Sequence, residues 1–313
     1  MRARRTLAFF VFACCVLAVA LKSRTAEVRR GDWTISKSDE AGKVEFSLIE
    51  HHHGGQSNHQ SDWPMSAFQG VDFSKAGRQD VRFTISRDAG KLNCEGFLND
   101  GEGAGLFHFE PNPEFTRQMD SLGFSVDEEK QYAMAIQDVS YDFARQMKSE
   151  HLSDLDTDKL IAFRIFGVNH EFIQQLRAEG LKANDSDRLV AFRIHGVSPE
   201  MVHSVRQAGY SPDEDTLVAM RIHGATPEWM AQIKQRGYDH IDLEQLIAFR
   251  IHGVSPEFIG KVQGLGYAHP DPDQLIAMRI HNVTPEYISD MKSRGIHDLS
   301  IDQLVNMRIH GID

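Results

Sequence analysis

Six near-copies of one phrase constrain this chain more than any other feature. Leu-Ile-Ala-Phe-Arg-Ile begins at Leu160, and its variants begin at Leu189, Leu217, Leu246, Leu275 and Leu304, in steps of 29, 28, 29, 29 and 29 residues. A fixed period of roughly 20–50 residues marks stacked supersecondary units, none of which can bury its apolar side without a neighbour.

Each unit reads as two short helices. The first opens on Ser/Thr-Pro-Glu, as in Ser198-Pro199-Glu200, Thr226-Pro227-Glu228, Ser255-Pro256-Glu257 and Thr284-Pro285-Glu286. The hydroxyl caps free backbone N–H groups, proline fits the first helical position, and glutamate suits the positive end of the helix dipole. An apolar stripe such as Phe258, Val262 and Leu265 follows, and the helix stops at Gly180, Gly209, Gly237, Gly266 or Gly295. An apolar or aromatic residue comes next (Leu181, Tyr210, Tyr238, Tyr267, Ile296), the pattern of a left-handed C-cap with its hydrophobic contact. A short acidic connector leads to the second helix, for which Asp242 and Gln245 predict a capping box. That helix, Leu246 to His252, is apolar on nearly all sides, which predicts burial between neighbours. Helices of about ten residues are not stable alone, so stacking must hold them. Asn112-Pro113-Glu114 starts the same register and Tyr132-Ala133-Met134-Ala135-Ile136 is a degraded second helix, giving seven units over 112–313.

Residues 27–111 read as β. Alternation is visible in Lys43 to Ile49, Val81 to Ile85 and Leu106 to Phe109, with turn signals at Asp88-Ala89-Gly90, Asn99-Asp100-Gly101 and Gly103-Ala104-Gly105. About five strands, in a small antiparallel sandwich or half-barrel, are expected, with the polar stretch Glu50–Asp72 as a long loop. The expected fold class is thus multidomain α+β: a small antiparallel β domain followed by an all-α solenoid of short two-helix repeats.

The first 26 residues look like an export signal. Arg2, Arg4 and Arg5 precede an apolar run of about 16 residues, Thr6 to Leu21, and Ala18-Val19-Ala20 is a cleavage-type site. A cleaved signal peptide is the first reading and an uncleaved N-terminal anchor the second; either puts the body outside the cytoplasm, in the periplasm or held at the cytoplasmic membrane. Cys14 and Cys15 sit in this run, and Phe12 stands where a lipoprotein signal needs a small residue. That leaves Cys94, which cannot form an internal disulfide and is expected as a buried strand residue. The net charge of −11 argues against nucleic acid and against electrostatic attachment to anionic lipid.

Several residues invite a chemical reading. Arg193, Arg221, Arg250 and Arg279 each precede a histidine by two (His195, His223, His252, His281), and Arg308 precedes His310 likewise, whereas Arg164 precedes Phe166. A metal ladder is disfavoured, because neighbouring repeats stack roughly 10 Å apart while ligands lie about 2 Å from an ion. Basic groups near a helix C-terminus suit the dipole, so a structural ladder is expected, with the arginines pairing to Glu171, Glu200, Glu228, Glu257 and Glu286. His51, His52, His53 and His59 could hold a metal only if their loop were rigid. Asp154, Asp156 and Asp158 lack the glycine and glutamate of a calcium loop and fit a helix cap. His170-Glu171 has no second histidine four residues on, and no nucleophile elbow or phosphate loop occurs. No catalytic residue, metal or cofactor is therefore assigned. The variable, mildly basic outer side of the first helices is the expected partner-binding face: Arg177, Arg206, Gln207, Lys234, Arg236, Lys261, Lys292 and Arg294.

The phrase Leu-Ile-Ala-Met-Arg-Ile-His followed by Val-Thr-Pro-Glu-Tyr-Ile resembles arrays attached to bacterial membrane proteins, among them relatives of the antibiotic-sensing M56 metallopeptidase/antirepressor family. The segments Cys94-Glu95-Gly96-Phe97 and Asp100-Gly101-Glu102-Gly103 look like the domain that accompanies such repeats. The chain has no His-Glu-x-x-His, so peptidase activity and zinc do not carry over; the resemblance implies a protein of the bacterial envelope. The expected function is a non-catalytic exported scaffold that binds a protein partner. The alternative is ligand sensing by the β domain with the repeats as relay or dimerisation element, and a metal-binding or hydrolytic enzyme is a third reading.

Overall fold

The computed structural model describes residues 29–52 and 55–312; the expected leader and His53 lie outside them. Two compact units emerge. The first takes in the described residues up to Met65 with Asp72–Arg82 and Cys94–Phe109, and the second joins Ser66–Val71 and Phe83–Asn93 to everything from Glu110 onward.

Six strands form one antiparallel sheet: β1 (Arg30–Lys37), β2 (Lys43–His52), β3 (Gly55–Pro64), β4 (Arg78–Arg87), β5 (Gly90–Asn99) and β6 (Glu102–Pro111), in the order β3-β2-β1-β6-β5-β4. The sandwich is thus not the arrangement adopted, and most of the expected long loop is strand. β3 pairs along the whole of β2, from Lys43↔Pro64 to His52↔Gly55. Its sequence hides this because it is an edge strand whose inward positions are His59, Ser61 and buried Trp63, so no apolar alternation marks it. The core face carries Trp33 and Ile35 of β1 against Leu48 and Phe46 of β2, with the Phe46 and Trp63 rings edge to face at 5.5 Å.

Gly103-Ala104-Gly105 lies inside β6 and is not a turn. A Cβ at Gly105 would fall 2.0 Å from the Glu95 carbonyl and 2.7 Å from the indole of Trp33, and one at Gly96 would fall 2.7 Å from the same ring. These glycines therefore allow the fully buried Trp33 to lie flat against two strands, its Nε1 donating to Glu95 O at 3.2 Å. Cys94 is buried in β5, where burial pushes its thiol well above the usual range.

Fourteen helices follow among the described residues, in seven pairs: α1 (Pro113–Ser121) and α2 (Glu128–Ile136), α3 (Tyr141–Ser149) and α4 (Thr157–Phe166), α5 (His170–Ala178) and α6 (Ser186–His195), α7 (Pro199–Gln207) and α8 (Glu214–His223), α9 (Pro227–Lys234) and α10 (Leu243–His252), α11 (Pro256–Gly264) and α12 (Pro272–Ile280), α13 (Pro285–Ser293) and α14 (Ile301–Ile309). None is long and apolar enough to cross a membrane. Every helix starts on a capping side chain: Asn or Ser/Thr for the odd-numbered helices, Asp or Ser for the even. Asp156 caps α4 and Asp158 follows it in the first turn, as the sequence predicts. Asp242 accepts from Gln245 N, while the fully reciprocal boxes sit at Asp271/Gln274 and Ser300/Gln303. The C-cap bonds follow the predicted glycines, with Leu181 N donating to Leu176 O and Ile296 N to Met291 O.

Within this second unit, the buried Gln131 of α2 donates to Ala89 O and Asn112 O, both at 2.8 Å, and Asp88 accepts from Tyr141 N. Further on, odd helices pack on odd and even on even (α5 with α7; α4 with α6, α6 with α8, α8 with α10), giving two layers. This layering overturns one expectation. An even helix has even neighbours on two sides and the odd layer on a third, so its fourth side stays open and it is not buried all round.

Candidate interaction surface

In an even helix the leucine of the phrase and the Phe or Met three residues on both point to the core; Leu189, Phe192, Leu246, Phe249 and Leu275 are fully buried. At about 100° per residue, the isoleucine five positions after the leucine faces about 140° away from it. Ile165, Ile194, Ile222, Ile251, Ile280 and Ile309 accordingly point outward, each 53–55% exposed. The residue four positions earlier on the same side (Ile161, Val190, Val218, Ile247, Ile276, Val305) is apolar and half-buried. An apolar row therefore runs across six successive helices. It is absent from α2, where Gln137 takes the isoleucine position.

Two charged rows border it. Two residues before each leucine stands an exposed carboxylate: Asp158, Asp187, Asp215, Glu244, Asp273 and Asp302. Cations of the preceding even helix reach the first three, with Lys130 2.9 Å from Asp158 and Lys159 and Arg188 paired to Asp187 and Asp215. The hydrogen bond to Asp158 holds the Lys130 ammonium above its ordinary value. From there the cation's position is taken by Thr216, Gln245 and Gln274, the last donating to Asp302 at 3.1 Å.

On the other border lie the arginine and histidine rows. Each arginine reaches back to a carbonyl at the C-terminal end of the preceding even helix: Arg164 Nε to Gln137 O (3.1 Å), Arg193 to Gly167 O (3.0 Å), Arg221 to His195 O (3.0 Å), Arg250 to His223 O (3.1 Å) and Arg279 to His252 O (3.3 Å). Five of the guanidinium groups also lie over a ring of the intervening odd helix: Arg164 over Phe143 at 5.3 Å, Arg193 over Phe172 at 4.0 Å, Arg250 over Trp229 at 5.2 Å, Arg279 over Phe258 at 5.1 Å and Arg308 over Tyr287 at 4.6 Å. One side chain thus caps a helix end, meets its negative dipole and stacks on an aromatic face. Arg193, Arg221, Arg250 and Arg279 do not pair with the recurrent glutamates: Glu200, Glu228, Glu257 and Glu286 turn to their own helix starts, and Glu171 accepts from Gln175 at 3.2 Å. Glu200 and Glu257 accept from the hydroxyls of Ser198 and Ser255 and then from their own N–H groups, which holds their carboxyls below the usual range. His195, His223, His252 and His310 are exposed, and His281 is half-buried.

The residues expected to form the partner face of the odd helices are largely used within the array. Arg177 Nη2 donates to Glu150 O (3.0 Å), Lys234 Nζ to Ala208 O (2.8 Å) and Lys292 Nζ to Leu265 O (2.6 Å), and Lys234 and Lys292 also lie over Tyr210 and Tyr267. Arg206 lies over Gly180, and Gln263 donates to Arg236 O at 2.9 Å. Positions 177, 234, 263 and 292 are thus a second inter-repeat capping ladder, and Arg206 holds the same position packed on Gly180. Arg236 lies against Gly260, Lys261 faces Glu286 at 3.6 Å, Arg294 pairs with Asp290 at 2.7 Å, and Gln207 bonds His203. Sequence reasoning missed Glu150, whose buried carboxylate accepts from His170, from Gln174 at 2.9 Å and from Arg177 at 2.5 Å. It also missed the isoleucine row, although the signal was there: a sixth position that never changes.

In the sheet, His51 bonds Asp32 at 2.7 Å. His59 pairs with Leu48 and so points to the opposite face from His51; its burial lowers its pKa. Those two histidines therefore cannot share an ion, and among the described residues no three His, Cys, Asp or Glu side chains gather as a metal site. An open cavity of about 1100 Å³ lies over the sheet, lined by Asp32, Thr34, Ile49, Arg82, Phe97 and Leu106, among others. No protein-family model matches the chain, and no curated protein or solved structure is significantly similar to it.

Proposed function

We propose that the chain is an exported, non-catalytic interaction scaffold whose working surface is the open side of the even helices. The supporting observation is the isoleucine row, six side chains each more than half exposed at one repeated position. Monomeric proteins rarely leave a contiguous apolar strip of this kind uncovered. The leader-like N-terminus and the resemblance to bacterial envelope arrays support the compartment. The test is a photo-crosslinking residue placed at Ile222 or Ile251 in the full chain, with Gln232 on the odd layer as control. Discrete protein adducts from the isoleucine positions and none from Gln232 are expected. Adducts from Gln232 alone would move the working surface to the odd helices.

A second reading is favoured by the sheet cavity, where Leu106 is 57% and Phe97 37% exposed. It would make the β region a sensor of a small amphiphile. Saturable binding abolished by Leu106→Lys and untouched by Ile222→Lys would support it.

A further inference from the structure

We infer that the surface which covers the isoleucine row is the same row of a second copy of this chain, the two arrays lying side by side in the same direction. This deepens the proposal above and rests on it.

The first argument is spacing. A partner for this face must present apolar groups at the stacking interval of about 10 Å over six successive positions. A second copy has that interval by construction, so a match at one unit is a match at all.

The second argument is charge. Along the N-terminal border runs the carboxylate row Asp158 to Asp302, and at the C-terminal ends of the helices lie Arg193, Arg221, Arg250 and Arg279, exposed although they bond the preceding helix's carbonyls, with their histidines. When two such faces meet about a two-fold axis parallel to the array, isoleucine covers isoleucine. Each carboxylate row then lies over the other copy's arginine and histidine row, on both sides. Turning one copy end for end puts carboxylate over carboxylate. Self-complementarity of this kind is what a closed, isologous dimer requires. Glu244 and Asp273, which lack an in-register cation on the preceding even helix, are the carboxylates most free to pair across it. A membrane fits less well: a row of six carboxylates on a chain of net charge −11 opposes an anionic surface.

The third argument is size. Six helices at about 10 Å spacing, each about 15 Å long, present a strip close to the roughly 800 Å² per partner of a standard stable interface.

The test uses the full chain with a photo-crosslinking residue at Ile165, Ile251 or Ile309, read by product mass and by the identity of the linked peptide. The expected product is twice the mass of the chain. Ile251 should link to the second copy within or next to Leu243–His252, Ile165 near α4, and Ile309 near α14. Ile222→Lys should cut the Ile251 dimer yield about tenfold, the loss of one buried apolar contact, while circular dichroism stays unchanged, as does melting at a concentration where the chain is monomeric. Asp273→Lys should lower it and Gln232→Lys should not. A link from Ile165 to α14 overturns the parallel arrangement. Adducts with a different protein overturn the second copy but leave the interaction surface standing, whereas lipid adducts, or none, overturn both.

Discussion

The odd and even layers are built with the same devices and differ in what they leave outside. Both cap their N-termini with a short polar side chain, both bury an apolar stripe, and both cap the preceding repeat's C-terminus with a long polar or cationic side chain. Outside, the odd layer is mixed and polar: Gln174 and Gln175, Ser204 and Gln207, Gln232, Lys261. The even layer repeats one isoleucine six times, half in water. Leucine and Phe/Met account for packing and arginine for the link between units, so the fixed isoleucine serves neither. Constancy between repeats is usually read as stacking; here one constant position is left half exposed, facing away from the core.

The sharpest way to break this contrast lies within a single helix. Phe249 is fully buried and Ile251, two residues on, is 53% exposed. Phe249→Ala should destabilise the array by about 3–5 kcal/mol, and Ile251→Ala should stay within about 0.5 kcal/mol. Urea midpoints of the two variants check this. At a concentration where the chain is monomeric, a loss of more than about 1.5 kcal/mol at Ile251 would mean that the row is packed within the chain after all.

In the odd layer, Glu150 is the buried charge on which His170, Gln174 and Arg177 converge. Glu150→Ala should cost about 2–3 kcal/mol, less than a fully buried pair, since the Arg177 side chain is 29% exposed and can turn to water. A neutral result would show that the first repeats are held by packing alone.

Arg250 sharpens the likeness between layers. It donates to His223 O and lies over Trp229, so Arg250→Ala should cost about 1 kcal/mol, the sum of a modest C-terminal and cation–π contribution. Arg250→Lys should recover only part, because an ammonium lacks the planar fork that lets the guanidinium lie flat on the ring. Lys292→Ala in the odd layer should behave alike, through Leu265 O and Tyr267. Thermal melts compare the three, and equal stability of Arg250→Ala and the parent would remove the ladder's role.

Much of the array was legible because its signals are local. Ser255-Pro256-Glu257, the glycine stops and the 29-residue phrase specify caps, ends and stacking without long-range information. What stayed hidden depends on partners far along the chain. β3 is polar in sequence and becomes a strand only through its pairing with β2. Gly105 reads as a turn until Trp33 is seen lying on it. The expected arginine–glutamate pairs look sound by charge, yet backbone carbonyls one repeat earlier hold the guanidinium groups. The openness of the even helices follows from having two layers and not three, which composition does not state.

The smallest expected effect concerns acid. Glu200, Glu228, Glu257 and Glu286, all at odd-helix starts, have carboxyls held below the usual range by their own N–H groups and the capping hydroxyls. A depressed folded pKa gives stability that is fully present above the unfolded value, near 4.5, and is lost as pH falls through the lower folded value. Melting temperature should therefore be flat in these groups from neutrality down to about pH 5 and decline below about pH 4.5. These glutamates are exposed, so the decline they add should be shallow. Replacing all four by Gln should lower stability slightly at pH 7 and flatten part of the acid limb. Asp213, depressed by its cap on Thr216, leaves a residual slope from the even layer. A parent and quadruple variant with superimposable pH profiles would mean that the hydroxyl caps alone hold the odd-helix starts, and that both layers begin their helices with the same single device.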